Sequence, residues 1–160
     1  MLFFDLHIHT SRGSRDSTLS LQELVKEAYA IGLDGACLTE HDTPWDPDEL
    51  QCIAGQYKNI LLVPALEMQT NMGHVTIIGL HRDASEITDA TELRRVSAEV
   101  GAYMIAAHPF RYLMDKSTFH ASHLLEDPSL YPGSVEEAMR HPLFNLVDAI
   151  EVANGGNTSE

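Results

Sequence analysis

FFDLHIHTSRGSRD, residues 3–16, begins as an apolar strand and ends in two histidines and an aspartate. Because successive side chains of a β-strand point to opposite faces, His7 and His9 share one face and their apolar neighbours fill the other. An isolated H-x-H pair is equally consistent with packed histidines and with a metal site. The other strands of the chain have to distinguish these two interpretations.

The composition is typical of one soluble globular domain covering residues 1–160. Apolar residues make up 44% of the chain, and 24 acidic against 10 basic residues give a net charge of -14, which disfavours an extended nucleic-acid surface. Cys37 and Cys52 lack C-x-x-C spacing, so we predict reduced thiols and a cytoplasmic location. We expect no membrane segment, because no apolar run reaches spanning length.

Apolar runs alternate with helical patterns along the chain. Ser20 and Glu23 form a capping box before LQELVKEAYAI, and Gly32 ends that helix. Asp46 and Pro47 begin a short second helix, and further helices are predicted at ATELRRVSAEV and VEEAMRH. Strands are predicted at GACLTEH, NILLVPALE, HVTIIGL, AYMIAAH and LVDAIEV. This alternation predicts an α/β fold with a largely parallel sheet.

Residues of the kind that bind metals recur where the predicted strands end. His41, Glu67 and His108 each end or follow a strand, as His9 does in the first. Parallel strands bring their carboxyl ends to one edge, where α/β enzymes build their sites. His74 begins its strand, but QTNMG is too short for a crossover, so we predict an antiparallel hairpin that returns His74 beside Glu67.

A mixed set of imidazoles and carboxylates favours Zn²⁺, Mn²⁺ or Fe²⁺ over Mg²⁺ or Ca²⁺. A bridging carboxylate such as Glu67 would hold two cations about 3.5–4 Å apart, with a metal-bound hydroxide as nucleophile for phosphate-ester hydrolysis. Serine or cysteine nucleophiles have little support, since none lies in a recognisable elbow.

The motifs DLHIHTSRGSRDSTLS, LTEHD, ALEM followed by GHV, and AHPFR resemble those of the PHP (polymerase and histidinol phosphatase) family in order and approximate spacing. The resemblance extends over nearly the whole chain. It implies a distorted (β/α)₇-type barrel that is incomplete here. It also implies a metal-dependent phosphoesterase that holds two to three divalent metal ions and acts on small phosphorylated metabolites or nucleotides.

The resemblance further assigns roles to single residues. Glu67 is implied to bridge two ions and, with His108, to be catalytic. Arg12 and Arg111 carry the guanidinium fork that suits phosphate oxygens, so we expect them to bind substrate, although a solvated arginine is an equally open interpretation. The resemblance groups the metal ligands into three sites: His7, His9 and Glu67; Glu67, His74 and His108; and Asp16 and His41.

The sequence departs from the family pattern at its end. The family carries a late Asp-x-His motif that supplies ligands to the first and third ions, and this chain stops at EVANGGNTSE without it. The implied barrel therefore lacks the last strands of the family domain. We expect a homo-oligomer or another closure to cover its edge, because an uncovered strand edge promotes association.

Two alternative functions stay open from the sequence. An amidohydrolase-like metal hydrolase also begins with H-x-H on its first strand, but its usual bridging lysine has no counterpart at a strand end here. A non-catalytic metal-binding or assembly protein would keep some ligands without turnover. Metal-dependent phosphate release that Glu67→Gln abolishes would distinguish the phosphoesterase from both.

Overall fold

The computed structural model describes residues 1–41, 43–57, 60–80, 84, 86–111 and 132–155. Within these ranges most strands are followed by a helix. The elements are β1 (Phe4–Ile8), α1 (Leu21–Ile31), β2 (Gly35–Glu40), α2 (Pro47–Ala54), β3 (Leu61–Thr70), β4 (Gly73–Ile78), α3 (Ala90–Val100), β5 (Tyr103–Ala106), α4 (Val135–Ala138), a 3₁₀ helix (Pro142–Asn145) and β6 (Ala149–Ile150).

The helix boundaries follow the capping signals in the sequence. Ser20 accepts a hydrogen bond from the backbone N–H of Glu23, whose side chain accepts one from the backbone of Ser20, so the predicted capping box of α1 is confirmed. Gly32 ends α1 in the left-handed conformation, with φ of 79°. Asp46 caps α2 and Pro47 opens it, as predicted. No helix in the described ranges is both long and apolar enough to cross a membrane.

The six strands are hydrogen-bonded neighbours in the order of the chain. The β1–β2, β2–β3 and β5–β6 pairs are parallel. β3 and β4 are joined by the two-residue turn 71–72, and Thr70 Oγ1 donates a hydrogen bond to the carbonyl of Gly73 at 2.7 Å. Neighbouring strands joined by so short a turn are antiparallel. The predicted α/β class and the predicted hairpin are both confirmed.

The described chain forms two compact units. The first comprises Met1–Glu67 with Ile77–Asp83, and the second comprises Met68–Thr76 with Ala84–Glu160. The first unit has its own apolar cluster, formed where α1 and α2 cover β2. Its most deeply buried members include Val25, Leu38 and Leu50. In the second unit the fully buried apolar side chains include those of Leu93, Met104 and Leu143.

Both cysteines are free thiols, as the sequence predicts. Cys37 lies on β2, where burial, aided by the nearby charge of Asp5, raises its pKa to about 11. Cys52 is exposed on α2. The thiolate is the reactive form of cysteine, so Cys37 is an inert packing residue at neutral pH.

Asp148, just before β6, should make the stability of the second unit depend on pH. Its Oδ2 accepts hydrogen bonds from Arg94 Nη1 at 2.8 Å and from the backbone N–H of Met104 at 2.9 Å. The bond from Arg94, followed by the one from Met104, lowers the pKa of Asp148. A carboxylate with a lowered folded pKa stabilises the fold above its ordinary pKa, and that contribution is lost as the pH falls through the folded value.

Asp148→Asn is therefore expected to lower the free energy of unfolding by about 1 kcal/mol at pH 7. The difference from wild type should shrink as the pH falls below about 4, near the ordinary aspartate pKa. Urea unfolding across this pH range measures it, with Glu27→Gln on the exposed face of α1 as control. A difference that stays constant down to pH 2 would contradict this assignment.

Candidate metal centre

Three neighbouring parallel strands position the histidines and the buried glutamate of the first unit. His7 lies on β1, and His9 follows its last residue. His41 follows the last residue of β2, and Glu67 lies near the carboxyl end of β3. Glu40, the last residue of β2, is in register with Leu66 of β3. Parallel pairing therefore brings these side chains to one edge of the sheet.

The carboxylate of Glu67 is the centre of this group. Its Oε2 lies 3.1 Å from His7 Nε2, 3.1 Å from His9 Nε2 and 3.4 Å from His41 Nε2. The two histidines of the H-x-H pair approach each other to 3.2 Å between their Nε2 atoms. Only 2% of the Glu67 side chain is exposed. One buried carboxylate oxygen therefore faces three imidazole nitrogens.

These spacings fit a transition-metal ion. The donor atoms of His9, His41 and Glu67 all lie within 4.8 Å of one another. Ligand bonds of 2.0–2.2 Å in a tetrahedral shell separate neighbouring donors by about 3.3–3.6 Å. The separations around Glu67 Oε2, 3.1 to 3.4 Å, are close to that range. Imidazole with carboxylate is also the donor chemistry that Zn²⁺, Mn²⁺ and Fe²⁺ accept.

Asp16 lies at the exposed side of this group. Its Oδ2 is 3.4 Å from His41 Nε2, and 59% of its side chain is exposed. The structure thus brings together all the predicted ligands that belong to the first unit. Their roles as ligands stay a prediction.

The second unit contains the other two predicted ligands. The rings of His74 and His108 meet edge to face, with centroids 5.2 Å apart. His108 is buried and follows β5 with a left-handed backbone, at φ of 32°. Its backbone N–H donates a hydrogen bond to Glu151 Oε2 at 2.6 Å. The carboxylate at the end of β6 therefore fixes the backbone that carries His108.

The two arginines expected to bind substrate both contact protein groups. Arg12 Nη1 donates to Glu49 Oε2 at 2.6 Å, and its guanidinium carbon lies 4.1 Å from the ring centroid of Trp45. Arg111 Nη2 donates to Asn154 Oδ1, and Asn154 in turn donates to Glu151 Oε1 at 3.0 Å. Binding of substrate by either arginine stays a prediction.

Sequence reasoning missed Glu40, which is fully buried beside the histidines. It accepts hydrogen bonds from Thr10, from Ser14 Oγ at 2.6 Å and from Trp45 Nε1 at 2.9 Å. Ser14 also contacts His9 Nδ1 at 3.1 Å. The available signal was an acidic residue ending an otherwise apolar strand, because a buried carboxylate needs several donors.

Comparisons with known proteins agree with this architecture. The chain is 38% identical, over 82 residues, to a 5'-3' exoribonuclease of Haemophilus influenzae; the match covers 50% of this chain and 29% of the relative. A crystal structure of a candidate metal-dependent phosphoesterase from Bifidobacterium adolescentis covers 94% of this chain with a TM-score of 0.63 and 14% identity. The match covers 77% of that structure. At this identity the likeness supports the fold, in agreement with the predicted PHP-type barrel.

The family assignment comes from the sequence profile of the PHP domain. It matches residues 5–127, which is more than half of the chain and includes all the predicted metal ligands and both arginines. The order of motifs in the sequence predicted the same family. The chain therefore belongs to the PHP domain family.

Proposed function

We propose that this protein is a metal-dependent phosphoesterase that hydrolyses phosphate esters of small metabolites or nucleotides. The observation that carries the proposal is the convergence of three imidazole nitrogens on the buried Oε2 of Glu67, at 3.1 to 3.4 Å. Membership of the PHP domain family supports the same activity. The match covers less than a third of the Haemophilus exoribonuclease, so activity and substrate are both part of the proposal.

The residues of the first unit would have distinct roles in metal binding. His7, His9, His41 and Glu67 would hold divalent cations, which when bound activate water and offset the charge that develops on a phosphate. Burial of Glu67 keeps its charge poorly solvated, which strengthens its attraction for a cation. Asp16, at the exposed side, would complete the ligand set where substrate enters.

Arg12 is the proposed phosphate-binding group of this unit. Its guanidinium is stacked on Trp45 and paired with Glu49, while about half of its side chain stays exposed. The stacked arrangement limits the rotamers of a long side chain, so less entropy is lost when phosphate oxygens bind. In the second unit, His108 is a proposed catalytic residue and Arg111 is a second proposed phosphate ligand.

The substrate is expected to be small or to be bound at one end. A net charge of -14 repels a long polyanion at physiological salt. A terminal phosphate or the last phosphodiester of an oligonucleotide requires only local contacts. The exoribonuclease name of the Haemophilus relative makes an RNA end a reasonable second substrate class.

The test combines metal analysis with a substrate panel. Protein purified without chelator and supplied with Mn²⁺, Zn²⁺ or Fe²⁺ is expected to retain about two ions per chain. It should then release phosphate or nucleotide from sugar phosphates, nucleoside monophosphates or a short 5'-phosphorylated oligoribonucleotide. Chelation should abolish the release, and re-addition of the metal should restore it.

Each negative result has a separate meaning. A chain that retains no metal would overturn the proposed site. A chain that retains metal but fails on the whole panel would favour the non-catalytic metal-binding function.

A further inference from the structure

We infer that Glu40 is a positioning residue that, through Ser14, holds His9 in the tautomer whose Nε2 lone pair faces Glu67. The inference deepens the proposed metal site and rests on it for its purpose. The hydrogen-bond geometry that supports it belongs to the protein alone. All the residues concerned lie in the first unit.

Glu40 acts only as an acceptor in this network. Oε1 accepts from Trp45 Nε1 at 2.9 Å and from Thr10 Oγ1, and Oε2 accepts from Ser14 Oγ at 2.6 Å. The backbone N–H of Thr10 lies 3.1 to 3.2 Å from the two oxygens. The side chain is fully buried, so water does not compete for these bonds. Ser14 therefore donates its hydroxyl proton in the hydrogen bond to Glu40.

The hydroxyl of Ser14 then has no proton left for His9. A serine hydroxyl offers one donor and two acceptor lone pairs. Its proton goes to Glu40, and one lone pair accepts from the backbone N–H of His41 at 3.2 Å. The contact of 3.1 Å with His9 Nδ1 can therefore be a hydrogen bond only if the imidazole donates it. This assigns the proton of neutral His9 to Nδ1.

The tautomer of His9 determines whether its metal-facing atom, Nε2, carries a lone pair. In a neutral imidazole with Nδ1 protonated, Nε2 carries the lone pair. His9 Nε2 is the atom that lies 3.1 Å from Glu67 Oε2 and 3.2 Å from His7 Nε2. A metal ligand needs that lone pair free, and the group bonded to the other ring nitrogen fixes its orientation. Glu40 thus prepares His9 for a cation without touching it.

Glu40→Gln is the substitution that reverses this arrangement while preserving shape. Trp45 Nε1 is always a donor, so the amide oxygen must take the Oε1 position and the amide NH₂ must face Ser14. Ser14 then accepts from the amide and turns its proton toward His9 Nδ1. The neutral ring is driven to carry its proton on Nε2, which blocks the metal-facing lone pair.

The first measurement is NMR of the metal-free protein labelled with ¹⁵N-histidine, at a pH where His9 is neutral. Wild type should show a protonated Nδ1 and an unprotonated Nε2 for His9, identified from the signals missing in His9→Gln. Glu40→Gln should reverse that pattern. Glu27→Gln, an exposed change of the same chemistry on α1, should leave it unchanged. An unreversed pattern in folded Glu40→Gln would overturn the inference.

The second measurement is Zn²⁺ affinity by competition with a chromophoric chelator. Glu40→Gln should bind Zn²⁺ about 10- to 100-fold more weakly than wild type, the range seen when groups that orient metal ligands are replaced. In a Ser14→Ala background, the additional loss of Zn²⁺ affinity caused by Glu40→Gln should be less than about 3-fold. Ser14→Ala already removes the hydrogen bonds that connect Glu40 to His9. Equal losses in both backgrounds would show a purely structural role and overturn the inference.

Two further outcomes keep the test decisive. If Glu40→Gln does not fold, Ser14→Ala alone must give His9 a mixed tautomer population, and an unchanged Nδ1–H would overturn the inference. If wild type binds no Zn²⁺, the proposed function fails, while the NMR pattern of the metal-free protein still decides the role of Glu40.

Discussion

Glu67→Gln is expected to lower the affinity for Zn²⁺ or Mn²⁺ by more than about 100-fold, above the range for residues that only orient ligands. Metal-dependent phosphate release should fall with it. The physical reason is that three histidines of the first unit approach Glu67 Oε2 to 3.1–3.4 Å, and only 2% of the Glu67 side chain is exposed. A neutral amide of the same shape removes the negative charge and offers an NH₂ group, which cannot bind a cation.

Isothermal titration with each metal, followed by the phosphate-release panel, measures both effects. Circular dichroism and urea unfolding of the metal-free protein should show a folded variant, because glutamine replaces glutamate with nearly equal volume. Glu27→Gln serves as the matched control and should bind metal as wild type does. Unchanged metal content in Glu67→Gln would show that Glu67 is not a metal ligand.

Gly13→Ala is expected to destabilise the protein by about 1–3 kcal/mol through overpacking. A Cβ atom at this position would lie 2.6 Å from Cγ and 2.7 Å from Cβ of Glu40. Those atoms lie close to the backbone in the buried Glu40 side chain. They cannot move away as the end of a flexible side chain can. The added methyl group should therefore displace Glu40 and weaken its bond to Ser14, lowering metal affinity as well.

Thermal and urea unfolding, with Zn²⁺ competition on the same samples, measure this effect. Gly155→Ala is the matched control, because within the described part of the chain no atom other than those of its chain neighbours lies within 4 Å of the Cβ that it would add. It should change neither property. A Gly13→Ala protein as stable as Gly155→Ala, with wild-type metal affinity, would show that residues 10–14 adapt without moving Glu40.

Sequence reasoning predicted the parts of the molecule that depend on local rules. The alternation in a strand places His7 and His9 on one face, and the capping box with Gly32 fixes the ends of α1. The link QTNMG before His74 is too short for a crossover, which predicts the hairpin. The motif order then predicted the family.

The contacts that sequence reasoning could not predict join residues distant in the chain. Glu40 meets Thr10 and Ser14 only because the segment after β1 folds back over the end of β2. Arg12 is paired with Glu49, 37 residues away, and this pairing depends on where α2 begins. Such contacts follow from packing, and packing has no short-range signature in a single sequence.

The left-handed backbone of His108 has a consequence for how this position can evolve. A non-glycine residue at positive φ costs roughly 1–2 kcal/mol, and the hydrogen bond from its N–H to Glu151 offsets part of that cost. Selection for stability alone would therefore place glycine at 108, in the sharp turn after β5. Under the proposed catalytic role of His108, histidine at this position gives up stability for side-chain chemistry, and sequence drift toward glycine would indicate a lineage that no longer uses the imidazole.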